Sequence, residues 1–231
     1  MGTLNEHSAI QKAAKSVLSR LADSFVPEDS EHTISLRAVE LLREYGIEET
    51  WYYDCPALVL LGSRSCLSVS GREYKPNSEA IGQHNVITVD LSPLRNNVWG
   101  DCARTFYFEN GRCTLAPQTS EFKRGFEVLL LLHEAVKTFA KPEMTFEDLF
   151  EFGNAEIKRH GFENLDFAGN LGHSIVSRRD DRCYVERGNK KLLREVPLFT
   201  FEPHVRISGG AWGFKHEDIY CFTETGTLNA L

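Results

Sequence analysis

Two aspartates interrupt otherwise apolar extended stretches in ITVDLSPLRNNVWGDCARTF, Asp90 in one and Asp101 at the start of the next. A buried, unpaired carboxylate costs several kcal/mol, so these side chains must be solvated, ion-paired or turned toward a cation. Alone, they read first as solvated hairpin ends or as partners of Arg95 or Arg104. The rest of the chain changes that balance. Glu202 closes LFTFE, Glu217 opens EDIYCF, and His173 stands in LGHSIV. Four carboxylates and one imidazole would overfill a zinc site and suit two adjacent divalent ions of the hard to borderline kind, such as Mn, Fe, Co or Zn.

The elements that must position these groups are legible as periodicities. Alternation places Val86, Thr88 and Asp90 on one face of a strand, and Asp101, Ala103 and Thr105 on one face of the returning strand. An Asn-Gly turn in ENGR leads on into CTL, and SGGAWG separates the strand at LFTFE from EDIYCF. Ile10, Ala13, Ala14, Val17, Leu18 and Leu21 form one face of a helix that stops before Pro27. A second helix should bury Leu36, Val39, Leu42 and Tyr45 and end at Gly46. The plan then repeats. Phe126, Leu129, Leu130, Val136 and Phe139 mark a helix, and Thr145 with Asp148 forms a capping box for the next, which ends at Gly161. SFVPE and TFAKPE occupy matching places, as do Leu61-Gly62 and Leu171-Gly172. This predicts an α+β fold, built as a duplicated helix-helix-strand unit with a curved antiparallel sheet covered by helices. No linker of Pro, Ser or Gly composition divides the chain, so residues 1–231 are read as a single domain.

Composition narrows the classes further. The chain of 231 residues carries a formal charge of −7, is 42% hydrophobic and 26% charged, and has no basic run beyond RGNKKLLRE, which argues against a nucleic-acid partner. No apolar run approaches the ~20 residues of a membrane span, and MGTLNEHSAIQKAAKSVL lacks a signal-peptide pattern. A cytoplasmic protein with no membrane partner is expected. Its six cysteines contain no C-x-x-C pair and read as reduced core residues.

These residues resemble the methionine aminopeptidase, aminopeptidase P, prolidase and creatinase family of pita-bread fold metallopeptidases, itself a pseudo-twofold duplication. VITVDLS is similar to the motif of the family's first ligand, DCARTF to that of its second, GHSIV to its histidine motif, and FTFEP and HEDIYCFTETG to its glutamate motifs. The likeness runs from about residue 10 to the C-terminus. By this resemblance Asp90, Asp101, His173, Glu202 and Glu217 hold two divalent metal ions, with Asp90 on one, His173 and Glu202 on the other, and Asp101 and Glu217 bridging. The ions would share a hydroxide made nucleophilic at neutral pH, and Glu202 would move its proton to the leaving amine. Arg104 is expected to fix a carboxylate, and His216, next to Glu217, to point away from the ions.

Departures from the family pattern bear on the substrate. Family peptidases carry one histidine upstream of the first aspartate and another after the metal histidine. Here SVSGREYKPNSEAIGQHN offers Arg72 or Tyr74 near the first place, and SIVSRRDDRCYVERGNKK has no histidine at the second. His204, two residues after Glu202, could replace a missing substrate histidine or be a surface residue. Arg178, Arg179 and Asp180 could bind a substrate carboxylate or form a solvated loop. Trp99, Trp212 and the WYY at 51–53 could line a pocket or pack in the core. The expected activity is a hydrolase of the aminopeptidase or dipeptidase kind, cleaving amide bonds of small peptides or amino-acid derivatives. Its substrate is expected to be small because the chain lacks the extra N-terminal domain of aminopeptidase P and creatinase. Glu202 and His204 are the catalytic candidates; Arg178 and Tyr74 are the substrate-binding ones. Different chemistry on the same metals (C–N hydrolysis or iron-dependent oxidation), an inactive binding module, and a homodimer all stay open.

Overall fold

The computed structural model describes residues 2–231. Helix α1 (Leu4–Ser24) starts at a capping box between Thr3 and Glu6 and buries Ile10, Ala14, Val17, Leu18 and Leu21, the face its spacing predicts. Helix α2 (Glu31–Glu44) is capped by Ser30, and Gly46 follows its end at φ +70°. Its buried face is Glu31, Ile34, Ala38, Leu41 and Leu42, whereas Leu36, expected inside, is exposed. The cause is Glu31, whose carboxylate is drawn inward to the Leu61 amide (3.0 Å), the Arg64 Nε (2.8 Å) and the Asn77 amide (2.8 Å). Turning residue 31 inward carries the positions three, seven and ten places on with it.

The first half continues as β1 (Glu49–Thr50), β2 (Ala57–Leu61), β3 (His84–Leu91), β4 (Pro93–Arg95), β5 (Val98–Trp99), β6 (Cys102–Glu109) and β7 (Arg112–Thr114). Strands β2, β3, β6 and β7 form an antiparallel sheet in that order, and β1, β4 and β5 a smaller one. Asn110 and Gly111 both have positive φ in the tight turn between β6 and β7, as the Asn-Gly signal predicts. Helices α3 (Ser120–Phe139) and α4 (Phe146–Arg159) then repeat the opening pair, with a Thr145–Asp148 capping box and Gly161 at φ +78°. Leu129 and Val136 are buried as expected, while Leu130 is exposed. The second half closes with β8 (Phe162–Asn164), β9 (Phe199–Phe201), β10 (His204–Ile207), β11 (Gly213–Lys215), β12 (Asp218–Phe222) and β13 (Leu228–Ala230). Its strands pair antiparallel in the orders β11-β10-β8 and β13-β12-β9.

Each half has its own apolar core. One packs α1 and α2 on β2, β3 and β6 through Ile34, Val59, Ile87 and Val89; the other packs α3 and α4 around Phe146, Phe199, Phe201 and Phe214. The halves are joined where the Glu217 amide donates to Ala103 O (2.9 Å) and the Lys215 amide to Thr105 Oγ1 (2.7 Å). On β3 alternation sorts the side chains: Ile87, Val89 and Leu91 enter the first core, and Thr88 and Asp90 face a cavity at this junction. Among the described residues no helix is long and apolar enough to cross a membrane, and all six cysteines are free thiols.

Candidate metal centre

A cavity of about 570 Å³ opens at the junction and is lined by all five expected ligands, Asp90, Asp101, His173, Glu202 and Glu217. Asp101 sits just ahead of β6 and is held from the opposite side by α1. The Gln11 amide nitrogen donates to Asp101 O (2.6 Å), and the Asp101 N–H donates to Gln11 Oε1 (3.0 Å). Gln11 is fully buried, a polar residue on an apolar helix face whose purpose is this clamp.

His173 donates its backbone N–H to Thr200 Oγ1 (3.0 Å), and its Nδ1 lies 3.1 Å from Ser174 O. That carbonyl can only accept, so Nδ1 carries the proton and Nε2 presents a lone pair. Nε2 lies 3.3 Å from Asp101 Oδ2 and 3.9 Å from Glu202 Oε1. A lone pair facing carboxylate oxygens is repulsive unless a cation or proton lies between them. Trp51 packs its edge on the His173 ring (5.4 Å between centroids), stacks on Trp99 (4.6 Å) and donates Nε1–H to Gly100 O (3.0 Å). It is core and cavity wall at once, whereas Trp212 packs on Phe122 and His84 and does not line the cavity.

Glu202 follows β9, where the Thr200 hydroxyl donates to its Oε1 (3.3 Å). Glu217 precedes β12, and neither of its buried carboxylate oxygens has a hydrogen-bond partner; Asp101 Oδ2 is orphaned in the same way. One donor atom each from Asp101, His173 and Glu217 falls within 4.8 Å of the others. Burial, reinforced by the neighbouring carboxylates, pushes the Asp101 and Glu217 carboxyls well above their ordinary range, and burial raises Glu202 too. Burial lowers His173 to about 4. Orphaned oxygens, mutually repelling carboxylates and a neutral imidazole lone pair fit a divalent cation, and the mixed O and N donors fit the Mn, Fe, Co or Zn class.

Sequence reasoning did not single out Lys215. It lies two residues before Glu217 and so shares its face, with Nζ 2.5 Å from Asp90 Oδ2 and 3.2 Å from Glu202 Oε2. Burial works against this ammonium, but Asp90, Glu202 and Glu217 outweigh it and hold its pKa well above the ordinary lysine value. Arg104 does fix a carboxylate, that of Asp218 (2.9 Å), and also donates to the Glu217 carbonyl (2.6 Å). His216 points away from the cavity, toward Asp218 Oδ2 at 3.0 Å.

The substrate-side expectations fare differently. His204 lines the cavity with its Nε2 directed at Ser65 O (2.6 Å), and burial, aided by Lys215, lowers it to about 4. Tyr74 does not reach the cavity, because its hydroxyl is bound to the Val59 backbone and to Ser35. Arg178 is also misplaced by the sequence reading: it is exposed, pairs with Asp181 at 3.8 Å and does not line the cavity. Arg182 lines it instead. Its guanidinium carbon lies 5.0 Å from the Trp51 ring and 5.3 Å from the Tyr184 ring, while Nε donates to Arg179 O (2.9 Å). Among the described residues it has no carboxylate partner within 4.0 Å. An arginine four residues farther along an irregular loop than Arg178 gives no periodic signal by which to choose it.

Known proteins resemble this chain in sequence and in fold. The model of metallopeptidase family M24 matches residues 5–224. An Xaa-Pro dipeptidase of Lactobacillus delbrueckii subsp. lactis is 25% identical over 151 residues, covering 65% of this chain and 39% of the relative, so the chain spans well under half the length of that protein. Among solved structures, X-Pro aminopeptidase from Thermotoga maritima MSB8 superposes with TM-score 0.80 at 19% identity, over 98% of this chain and 60% of that one. Methionine aminopeptidase from Thermotoga maritima superposes with TM-score 0.78 at 15% identity, over 99% and 97% of the two chains. The fold is the pita-bread fold, and the chain belongs to metallopeptidase family M24.

Proposed function

We propose that the protein is a divalent-metal-dependent dipeptidase that hydrolyses small peptides with a free carboxylate end. The observation that carries this reading is Arg182. Its guanidinium and the His173 imidazole flank the same two aromatic rings, Trp51 and Tyr184, with the His173 ring 5.4 Å and 6.2 Å from them. A carboxylate bound at Arg182 would therefore lie in the same cavity as the donor cluster and beside the same rings as His173, as the C-terminus of a small peptide held at the cluster requires. The names of the Xaa-Pro dipeptidase relatives support the same substrate class.

When bound on these donors, a divalent ion supplies Lewis acidity toward water and the scissile carbonyl. The chain's own groups do the rest. Asp101, His173 and Glu217 hold the charge in place, each fixed through its backbone by Gln11, Thr200 and Ala103 respectively. Glu202, oriented by the Thr200 hydroxyl, accepts the proton of the attacking water and returns it to the leaving nitrogen. Trp51 and Tyr184 wall off solvent on the Arg182 side. Six free thiols support the cytoplasm as its compartment.

The test is a dipeptide panel, including Xaa-Pro substrates, incubated with chelator-stripped protein reloaded with Mn, Fe, Co or Zn, with released amino acids quantified by chromatography. Metal-restored cleavage that disappears in Asp101→Asn and falls at least tenfold in kcat/KM in Arg182→Met is expected. Cleavage that persists in the stripped protein, or none with any metal, defeats the reading.

A further inference from the structure

The five cavity donors do not form one equivalent set. Asp101, His173 and Glu217 bring one atom each within 4.8 Å of the others, with three buried carboxylate oxygens lacking a hydrogen-bond partner. Asp90 and Glu202 are instead bridged by a side chain of this protein, Lys215, at 2.5 and 3.2 Å. We propose that the Lys215 ammonium is a resident cation in place of a second ion, so that the chain binds one divalent ion tightly, on Asp101, His173 and Glu217. This rests on the metal-dependent reading above and departs from the two-ion centre that the family resemblance implies.

Contact distance is the first argument. A divalent ion of this class sits about 2.0–2.2 Å from a carboxylate oxygen, and the Lys215 nitrogen, 2.5 Å from Asp90 Oδ2, stands where an ion on that oxygen would sit. Charge is the second, since a dication taken up on Asp90 would face the ammonium across a poorly screening interior. Placement is the third. The backbone of Lys215 is fixed where its side chain enters the cavity, because its N–H donates to Thr105 Oγ1 (2.7 Å), its carbonyl accepts from the same hydroxyl (2.8 Å), and it pairs with His204 across β10 and β11. Its side chain is only 17% exposed, and among the described residues its only carboxylate partners are Asp90 and Glu202. A lysine here also explains why Asp90 is satisfied while Asp101 and Glu217 are orphaned.

The experiment uses the full chain, stripped by chelator and titrated with Mn²⁺, read by calorimetry and by electron paramagnetic resonance. Wild type should bind one equivalent tightly and give an uncoupled six-line manganese spectrum. Lys215→Met, which keeps the length and removes the charge, should take up a second equivalent at least 100-fold more tightly than wild type does, with an exchange-coupled spectrum. Lys215→Arg should remain at one equivalent, which separates lost charge from a disturbed fold. Two equivalents of comparable affinity in wild type, with coupling, overturn this proposal and leave the metal-dependent reading standing. A Lys215→Met protein that folds and still binds one ion also overturns it. No tight Mn²⁺ binding in any variant defeats both.

Discussion

Gln11 offers the sharpest check on how the centre is built, because it touches no solvent and only the backbone of one ligand. Replacing it by alanine leaves the Asp101 N–H and C=O buried without the partners now at 3.0 and 2.6 Å. Each stranded group costs about 1–3 kcal/mol, so Gln11→Ala should lose about 2–6 kcal/mol of stability. That is a large share of the 5–15 kcal/mol typical of a folded domain and corresponds to a drop in Tm of roughly 4–24 °C at this chain length. The ion should suffer as well. Outer-shell supports of a ligand typically matter by about 10–100-fold in metal affinity, and here the support fixes the strand entry that aims Asp101 at His173. Gln11→Glu keeps the volume and the acceptor for the Asp101 N–H but sets an oxygen against the Asp101 carbonyl, so it should recover packing without recovering affinity. Urea unfolding of the stripped proteins and Mn²⁺ titration of the folded ones measure the two effects separately. A Gln11→Ala protein within about 0.5 kcal/mol of wild type, with unchanged ion affinity, would refute the clamp and show that water serves equally well.

Two further outcomes follow from the same geometry. Gly172→Ala should fail to fold stably, because φ is +141° and a Cβ would stand 2.3 Å from Thr200 O; a circular-dichroism melt matching wild type would contradict this. His204 should impart a pH dependence. Its folded pKa is depressed from about 6.5 to about 4, so the stability linked to its neutral form is present above pH 6.5 and lost as pH falls toward 4. The advantage of wild type over His204→Gln in urea midpoint should shrink steadily across that window, and a constant difference would show that His204 is not held neutral by burial.

The parts of the molecule legible in the sequence are those that repeat or alternate. The α1 face, the Thr145 capping box, the Asn110-Gly111 turn and the alternation that brings Asp90 to the cavity all arise from local periodicity, and the structure has each of them. The α2 face was misjudged because a buried Glu31 outweighs exposed Leu36, a preference set by amides and an arginine 30 to 46 residues away. The five candidate donors, which line one cavity, were findable because they sit in motif-like contexts, four of them at or beside strand ends. Lys215, Gln11 and Arg182 were not. Lys215 acts across the junction, Gln11 acts on a backbone 90 residues away, and Arg182 lies on an irregular loop, while a lysine on a strand or a glutamine on a helix ordinarily reads as solvated surface.

The division of the donor set has a consequence of its own. The first half of the chain contributes two aspartates and no imidazole; the second contributes the histidine and both glutamates. Neither repeat could assemble the cluster from its own residues, so the duplicated units have become chemically complementary rather than interchangeable. Whatever loosens their mutual seat, at Ala103–Glu217 or Thr105–Lys215, should register as lost ion affinity before either apolar core gives way.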